Sequence, residues 1–340
     1  MTKIDIYSGF LGAGKTTLIK KMIQEGYKGQ KLVLIENEFG EIGIDGGFLQ
    51  DAGINITEMN SGCICCSLVG DFGKALQEVI EKFNPDRVII EPSGVGKLSD
   101  VVAAVEKVTG HDVELGYTVA VADAGKVKVY MKNFGEFYNN QIETASTIIL
   151  SRTSDIKQEK LDASVALIRE HNAEATLVTT PWEQLTGEQL ITAMEGKSVK
   201  AEELAHEEEH HCCCGHHHDH EHHHHDHDEH CTCGCHDHDH EHHHHHDHHA
   251  DEVFTSWGIE TAKKFTAEQI KNALTELDSG KYGMVLRAKG IIPAIDGSWI
   301  HFDMVPEEHD IRTGSADITG KLCVIGSKLD EAGVAALFGV

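Results

Sequence analysis

The chain has 340 residues, with 56 Asp and Glu against 29 Lys and Arg, for a formal net charge of −27. That length supports two ordinary domains with cores of their own, and so acidic a balance excludes nucleic acid as a main partner, because phosphate backbones need a basic surface. No apolar run approaches a membrane span, and Met1-Thr2-Lys3-Ile4-Asp5 carries no apolar leader region, so a cytoplasmic protein with no membrane partner is expected.

Residues 1–185 alternate short β-branched runs with longer helical patterns. Strands are predicted at 4–7, 32–36, 87–91, 117–122, 147–151 and 176–180, and apolar residues recur at helical spacing over 72–83 and 161–171. Near-continuous apolar strands alternating with helices predict an α/β fold, a parallel sheet with helices on both faces. Between the first strand and the first helix stands Gly9-Phe10-Leu11-Gly12-Ala13-Gly14-Lys15-Thr16, which meets the P-loop pattern at every fixed position. Its glycines let backbone N–H groups point inward with no Cβ in the way, and the helix N-terminus adds favourable partial charge. Gly9, Gly12, Ala13, Gly14, Lys15, Thr16 and Thr17 are therefore candidate nucleotide-binding residues, with Lys15 reaching the β- and γ-phosphates and the Thr16 hydroxyl on Mg²⁺. A Gly-rich turn matching by chance is the bland alternative, and the flanking strand and helix count against it.

Cys63-Ile64-Cys65-Cys66 follows the turn-like Asn60-Ser61-Gly62. Three thiols in four residues can offer two or three thiolates to one ion, leaving a coordination position open, which suits Zn²⁺ or another thiophilic ion better than incidental core cysteines do. Further on, Val88-Ile89-Ile90-Glu91-Pro92-Ser93-Gly94 ends an apolar strand in a carboxylate. Glu91 can sit near Mg²⁺ or its waters, and the Gly94 N–H can bond the γ-phosphate so that hydrolysis releases the following loop. Lys15, Glu91 and Gly94 are the catalytic candidates.

Residues 186–252 form the next unit, a helix and linker followed by a low-complexity tract. Residues 206–249 hold 23 of the 27 histidines, six cysteines and twelve acidic residues, with no Lys or Arg. Such a composition cannot bury a core, so disorder without metal is expected. Cys212, Cys213, Cys214, Cys231, Cys233 and Cys235, set among imidazoles, read as ligands for Zn²⁺, Ni²⁺, Co²⁺ or copper rather than as disulfide partners. The tract then acts as a multi-ion buffer that supplies the thiol loop through tethering. From 253 to 340 the composition turns globular again. A helix over 266–277 with Thr266 as N-cap, strands at 282–292, 299–305 and 321–326, and a closing helix over 330–338 predict a small α+β domain. His111, His171, His301 and His309 have no partner spacing that compels a role, and Cys323 reads as a core strand residue.

On these residues the sequence resembles the CobW-type GTPases, which are related to the hydrogenase- and urease-maturation GTPases. The matching residues are the P-loop, Glu36-Asn37-Glu38-Phe39-Gly40-Glu41-Ile42-Gly43-Ile44-Asp45, the Cys63–Cys66 loop, Glu91 to Gly94, and in the last domain Tyr282-Gly283-Met284-Val285-Leu286-Arg287-Ala288-Lys289-Gly290 with Trp299. The resemblance covers nearly the whole chain apart from the His-rich tract. It implies GTP hydrolysis coupled to binding a transition metal ion, Zn²⁺ first and Co²⁺ or Ni²⁺ next, and delivering it to a client metalloprotein. It also implies that residues 36–45 act as a switch, with Glu38 at the nucleotide. One departure stands out. Where such GTPases carry Asn-Lys-x-Asp after a late strand, this chain has Ser151-Arg152-Thr153-Ser154-Asp155. Arg152 can still stack on a base, but a Ser cannot reproduce bidentate carboxylate recognition of guanine; GTP stays the expected nucleotide. A metal storage or sensing protein with vestigial hydrolysis, and an NTPase that matures corrinoid enzymes, are the alternatives.

Overall fold

The computed structural model describes residues 1–36, 55–58, 69–110, 112–154, 156–196 and 250–340. Seven strands, β1 (Thr2–Gly9), β2 (Leu32–Glu36), β3 (Asn55–Glu58), β4 (Arg87–Glu91), β5 (Val113–Asp123), β6 (Thr147–Ser151) and β7 (Thr176–Val178), pair in the order β3-β2-β4-β1-β5-β6-β7. Every pairing is parallel, as the continuous apolar runs predict. The reason lies in the alternation of side chains along a strand. Val88 and Ile90 enter one core with Ile4, Ile6, Ile148 and Leu150, while Ile89 enters the opposite core with Tyr7, Leu34 and Ile149. Because both faces are buried, both sets must be apolar.

The crossover helices cover those faces. They are α1 (Lys15–Lys21, continued by a π-helical turn at Met22–Gly26), α2 (Val69–Phe83), α3 (Leu98–Glu106), α4 (Val127–Thr144), α5 (Gln158–His171) and α6 (Gly187–Met194). α6 begins with a capping box between Thr186 and Gln189 and buries Leu190 and Met194 beside Tyr7 and Tyr27.

The second sheet belongs to the C-terminal part. After α7 (Ala250–Val253) come β8 (Thr255–Thr261), α8 (Ala267–Leu277), β9 (Met284–Pro293), β10 (Trp299–Val305), β11 (Glu308–Thr313), β12 (Gly320–Ser327) and α9 (Glu331–Phe338). The strands pair antiparallel in the order β11-β10-β9-β12-β8. One sheet face packs on α8 and α9, where Trp257, Phe302 and Phe338 stack with ring centroids 6.1 and 6.4 Å apart. The other face meets the first domain: Leu286, Cys323 and Ile325 join its core, and Phe254 packs among Phe10, Phe134 and Phe137. Cys323 is thus a buried strand residue.

Candidate nucleotide site

β1 lies in the middle of the parallel sheet, so its carboxyl end opens on the edge where ligands of such folds gather. The chain curls there through three left-handed glycines, Gly9 (φ 144°), Gly12 (φ 69°) and Gly14 (φ 100°), a conformation only glycine adopts without strain. A Cβ on Gly9 would run into the Val121 carbonyl, and one on Gly14 would lie 3.0 Å from the Trp182 ring. The Ala13 N–H donates to the Phe10 carbonyl at 3.1 Å and closes the turn. Lys15 is buried, and its Nζ donates to the Gly9 carbonyl at 2.9 Å and to that of Phe10 at 3.4 Å. The ammonium is thereby folded over the loop it serves.

β4 ends next to β1, which brings its last residue to the start of α1. The Thr16 hydroxyl donates to the Glu91 carboxylate, 3.0 Å from Oε1 and 3.1 Å from Oε2. Hydroxyl and carboxylate oxygens at one point form a donor set suited to a hard cation such as Mg²⁺. Gly94 sits three residues on, where a Cβ would be 2.9 Å from the Leu11 nitrogen, so a glycine lets this loop press against the P-loop. Gln141 of α4 holds the loop from behind, its buried Nε2 donating to the carbonyls of Gly94 at 3.2 Å and Gly96 at 2.8 Å.

Arg152 follows β6 in a left-handed conformation (φ 54°). Its Nη1 donates to the Gly12 carbonyl and to Asp123 Oδ2, both at 3.0 Å, and its Nε pairs with Glu308 Oε2 at 2.9 Å. This one guanidinium ties the P-loop, the end of β5 and the β10–β11 hairpin together. The hydroxyls of Ser151 and Thr153 on either side are buried with no hydrogen-bond partner among the described residues. The same hairpin lays Val305 against Gly12, where a Cβ would collide with it. Lys126 donates to the Pro306 carbonyl at 3.1 Å and pairs with Glu307, whose carboxyl it holds below the usual range. Between P-loop and hairpin lies a cleft of about 310 Å³, lined from one side by Gly12, Gly14, Lys15, Thr16, Thr17, Lys20 and Glu91 and from the other by β9, β10 and β11.

The structure therefore gathers Gly9, Gly12, Ala13, Gly14, Lys15, Thr16, Thr17, Glu91, Gly94 and Arg152 at one end of the sheet. Asp123, Gln141 and Trp182 join them without any sequence signal of their own. Glu38, Cys63, Cys65, Cys66, Cys212, Cys213, Cys214, Cys231, Cys233, Cys235 and Asp155 lie outside the described residues, as does His111. Among the described residues no group of three or more His, Cys, Asp and Glu side chains is placed to hold a metal ion. His171 meets Glu143 at the surface, and His301 is buried against the Ser315 carbonyl.

Residues 3–179 match the nucleotide-binding domain of the CobW/HypB/UreG family, over half of the chain. The chain belongs to that family. Residues 254–339 of this CobW/HypB/UreG member also match the cobalamin synthesis protein cobW C-terminal domain, the stretch that forms the antiparallel sheet. It is similar to the zinc chaperone CobW of a Sinorhizobium species, 31% identical over 236 residues, covering 61% of this chain and 66% of that one. It is also similar to the zinc-regulated GTPase metalloprotein activator 1 of Schizosaccharomyces pombe, 27% identical over 191 residues, covering 54% of this chain and 46% of the relative. The chain thus matches less than two thirds of the length of either relative. A crystal structure of zinc(II)-bound YjiA GTPase from Escherichia coli aligns over 99% of this chain and 98% of its own, with 19% identity and a TM-score of 0.40. No helix among the described residues of this family member is long and apolar enough to cross a membrane.

Proposed function

We propose that this CobW/HypB/UreG member hydrolyses a nucleoside triphosphate, GTP in the first place, with Mg²⁺, and that its nucleotide state sets how firmly a transition metal ion is held for a client metalloprotein in the cytoplasm. The observation that carries the hydrolase reading is the meeting of the Thr16 hydroxyl with the Glu91 carboxylate beside the buried Lys15. Thr16, with Glu91 directly or through waters, would hold Mg²⁺, which would supply positive charge to the phosphates. Lys15 and the loop amides orient the phosphates, and the Gly94 N–H would bond the terminal one.

The metal half rests on the sequence and on the relatives. Cys63, Cys65 and Cys66 lie in the chain between β3, the edge strand of the parallel sheet, and α2. Two similar proteins carry names that speak of zinc, one as a chaperone and one as a GTPase that activates metalloproteins. Zn²⁺ is accordingly the first cargo, with Co²⁺ and Ni²⁺ next. Linkage requires that nucleotide and metal alter each other's affinity by the same factor, and a hundredfold change needs about 2.7 kcal/mol, within reach of one reordered loop.

The test is hydrolysis of GTP by the full chain with and without Zn²⁺, Co²⁺ or Ni²⁺, alongside Lys15→Ala and Cys65→Ala variants. Lys15→Ala is expected to lose at least about a hundredfold in kcat/KM. Cys65→Ala is expected to keep basal hydrolysis and lose its response to metal. Hydrolysis that ignores both metal and Cys65 removes the delivery mechanism, and absence of hydrolysis under all conditions leaves a storage protein.

A further inference from the structure

The small sheet offers the first domain a face of two characters. In antiparallel pairing, residues directly opposite share a face. Arg287 lies opposite Ile325 and Lys289 opposite Cys323, while Asp303 lies opposite both Lys289 and Asp310, and Arg312 lies opposite His301. Where this face covers the core of the first domain it is apolar, through Cys323 and Ile325. Where it reaches the phosphate cleft it carries Arg287, Asp303, Asp310 and Arg312.

The two arginines are held differently. Arg312 bonds both Asp310 and Asp303, the latter at 3.0 Å, and although burial opposes its charge, these two carboxylates together raise its pKa. Arg287 has, among the described residues, one ionic contact, Nη2 to Asp303 Oδ1 at 3.9 Å, which is too long for a hydrogen bond. Its side chain is only 22% exposed. A guanidinium drawn partly out of water, loosely paired, and facing a cleft whose far wall is a P-loop is placed to receive an anion. Loop amides and Lys15 wrap the inner phosphates from within the first domain. The small domain faces the opposite side, across from Thr16 and Glu91, where the terminal phosphate and the metal lie in such sites.

We propose that Arg287 is a phosphate-binding residue supplied by the small domain, contacting the terminal phosphate of a nucleoside triphosphate seated in the P-loop, so that the nucleotide site is built from both domains. The contact rests on the nucleotide reading above. Arg312, Asp303 and Asp310 hold the surface on which it is presented. Binding trades the long contact to Asp303 for charge-assisted hydrogen bonds to phosphate oxygens, which are shorter and stronger.

Isothermal titration of the full chain with GTP and with GDP, both with Mg²⁺, tests this in wild type, Arg287→Gln and Arg287→Lys. The Gln variant is expected to bind GTP about tenfold more weakly or worse while its GDP affinity changes little. The Lys variant keeps the charge without the planar fork and falls between. A residue that only stabilises the sheet would shift both nucleotides together, and thermal melts of the same samples separate lost folding from lost contact. Wild-type GTP-to-GDP affinity ratios in both variants overturn the proposal. A wild-type chain that binds neither nucleotide overturns it too, but together with the hydrolase reading, and is told apart by that.

Discussion

Asp5 lies in the middle of β1 and is fully buried, an ionisable residue in a strand otherwise made for a core. Three groups converge on its carboxylate. Arg87 pairs with Oδ2, the Tyr27 hydroxyl donates to the same oxygen at 2.8 Å, and the Tyr117 N–H donates to Oδ1 at 3.0 Å. The Arg87 guanidinium in turn stacks on the Tyr27 ring, 4.4 Å from its centroid, and bonds Gln30 at 2.9 Å. Burial first, then the Asp5 charge, pushes the Tyr7 hydroxyl well above its ordinary range, so it stays a neutral member of the network. Burial, with Glu195 and Asp5 after it, pushes Tyr117 up to about 12. Removing one partner of such a pair strands the other in low dielectric. Asp5→Ala is therefore expected to cost about 3–5 kcal/mol in denaturant unfolding. The double change Asp5→Leu with Arg87→Met should recover much of that loss, since the pair is then replaced rather than broken. A single variant as stable as wild type would show that the network contributes nothing.

Among elements, one helix start was written plainly, that of α8 at Thr266. Thr266 caps α8 by accepting from the Gln269 N–H at 3.1 Å, and the Gln269 side chain returns a bond to the Thr266 N–H at 2.8 Å. Thr266→Ala should lower stability by about 1 kcal/mol, read as a shift in denaturant midpoint without a change in slope; an unchanged midpoint would mean that packing of Ile270, Leu274 and Leu277 alone fixes the helix. The central strands β2, β4 and β6 are as legible, because burial on both faces demands unbroken apolar runs. Three strands went unpredicted, and all three are edges: β3 in the parallel sheet, β8 and β11 in the antiparallel one. An edge strand pairs on one side only and is commonly kept polar. In β11, Glu-His-Asp-Ile-Arg-Thr, the pattern to be found is nearly absent. The site divides along similar lines. Residues 9–17 form a contiguous signal and could be read directly. Asp123 reaches Arg152, Gln141 the loop at Gly94, and Trp182 the P-loop glycine Gly14 through the way β5, α4 and the turn after β7 are arranged, which is a property of topology rather than of local sequence. Arg287 is more distant still, since it depends on how the second sheet sits on the first.

For the whole molecule, the question is how a tract of 23 histidines can be carried inside a folded chain without disturbing it. Both flanks are fastened by packing. On the near side, α6 sinks Leu190 and Met194 into the core beneath β1. On the far side, Ala250 and Phe254 are buried against the first domain, with Phe254 5.3 Å from Phe134 and 5.2 Å from Phe137 between ring centroids. The two ends are thus each held by packing of their own, and the contacts of Lys15 and Thr16 with Gly9, Phe10 and Glu91 are made within the first domain. Replacing 206–249 by a Gly/Ser tract of equal length keeps the reach of the connection and removes its ligands. Such a variant should fold and hydrolyse nucleotide like the parent while binding far fewer metal ions. In the parent, the ions belonging to this tract should be lost between about pH 7.5 and about pH 5.5, because imidazole must be neutral to ligate and its ordinary pKa lies between those values. Thiolate ligands also weaken in acid, so the Gly/Ser variant, which keeps Cys63, Cys65 and Cys66, is the control that separates the two contributions. Equal Zn²⁺ stoichiometry in the parent at both pH values would remove histidine from the account, and failure of the variant to fold would show that the tract is part of the architecture instead of cargo carried by it.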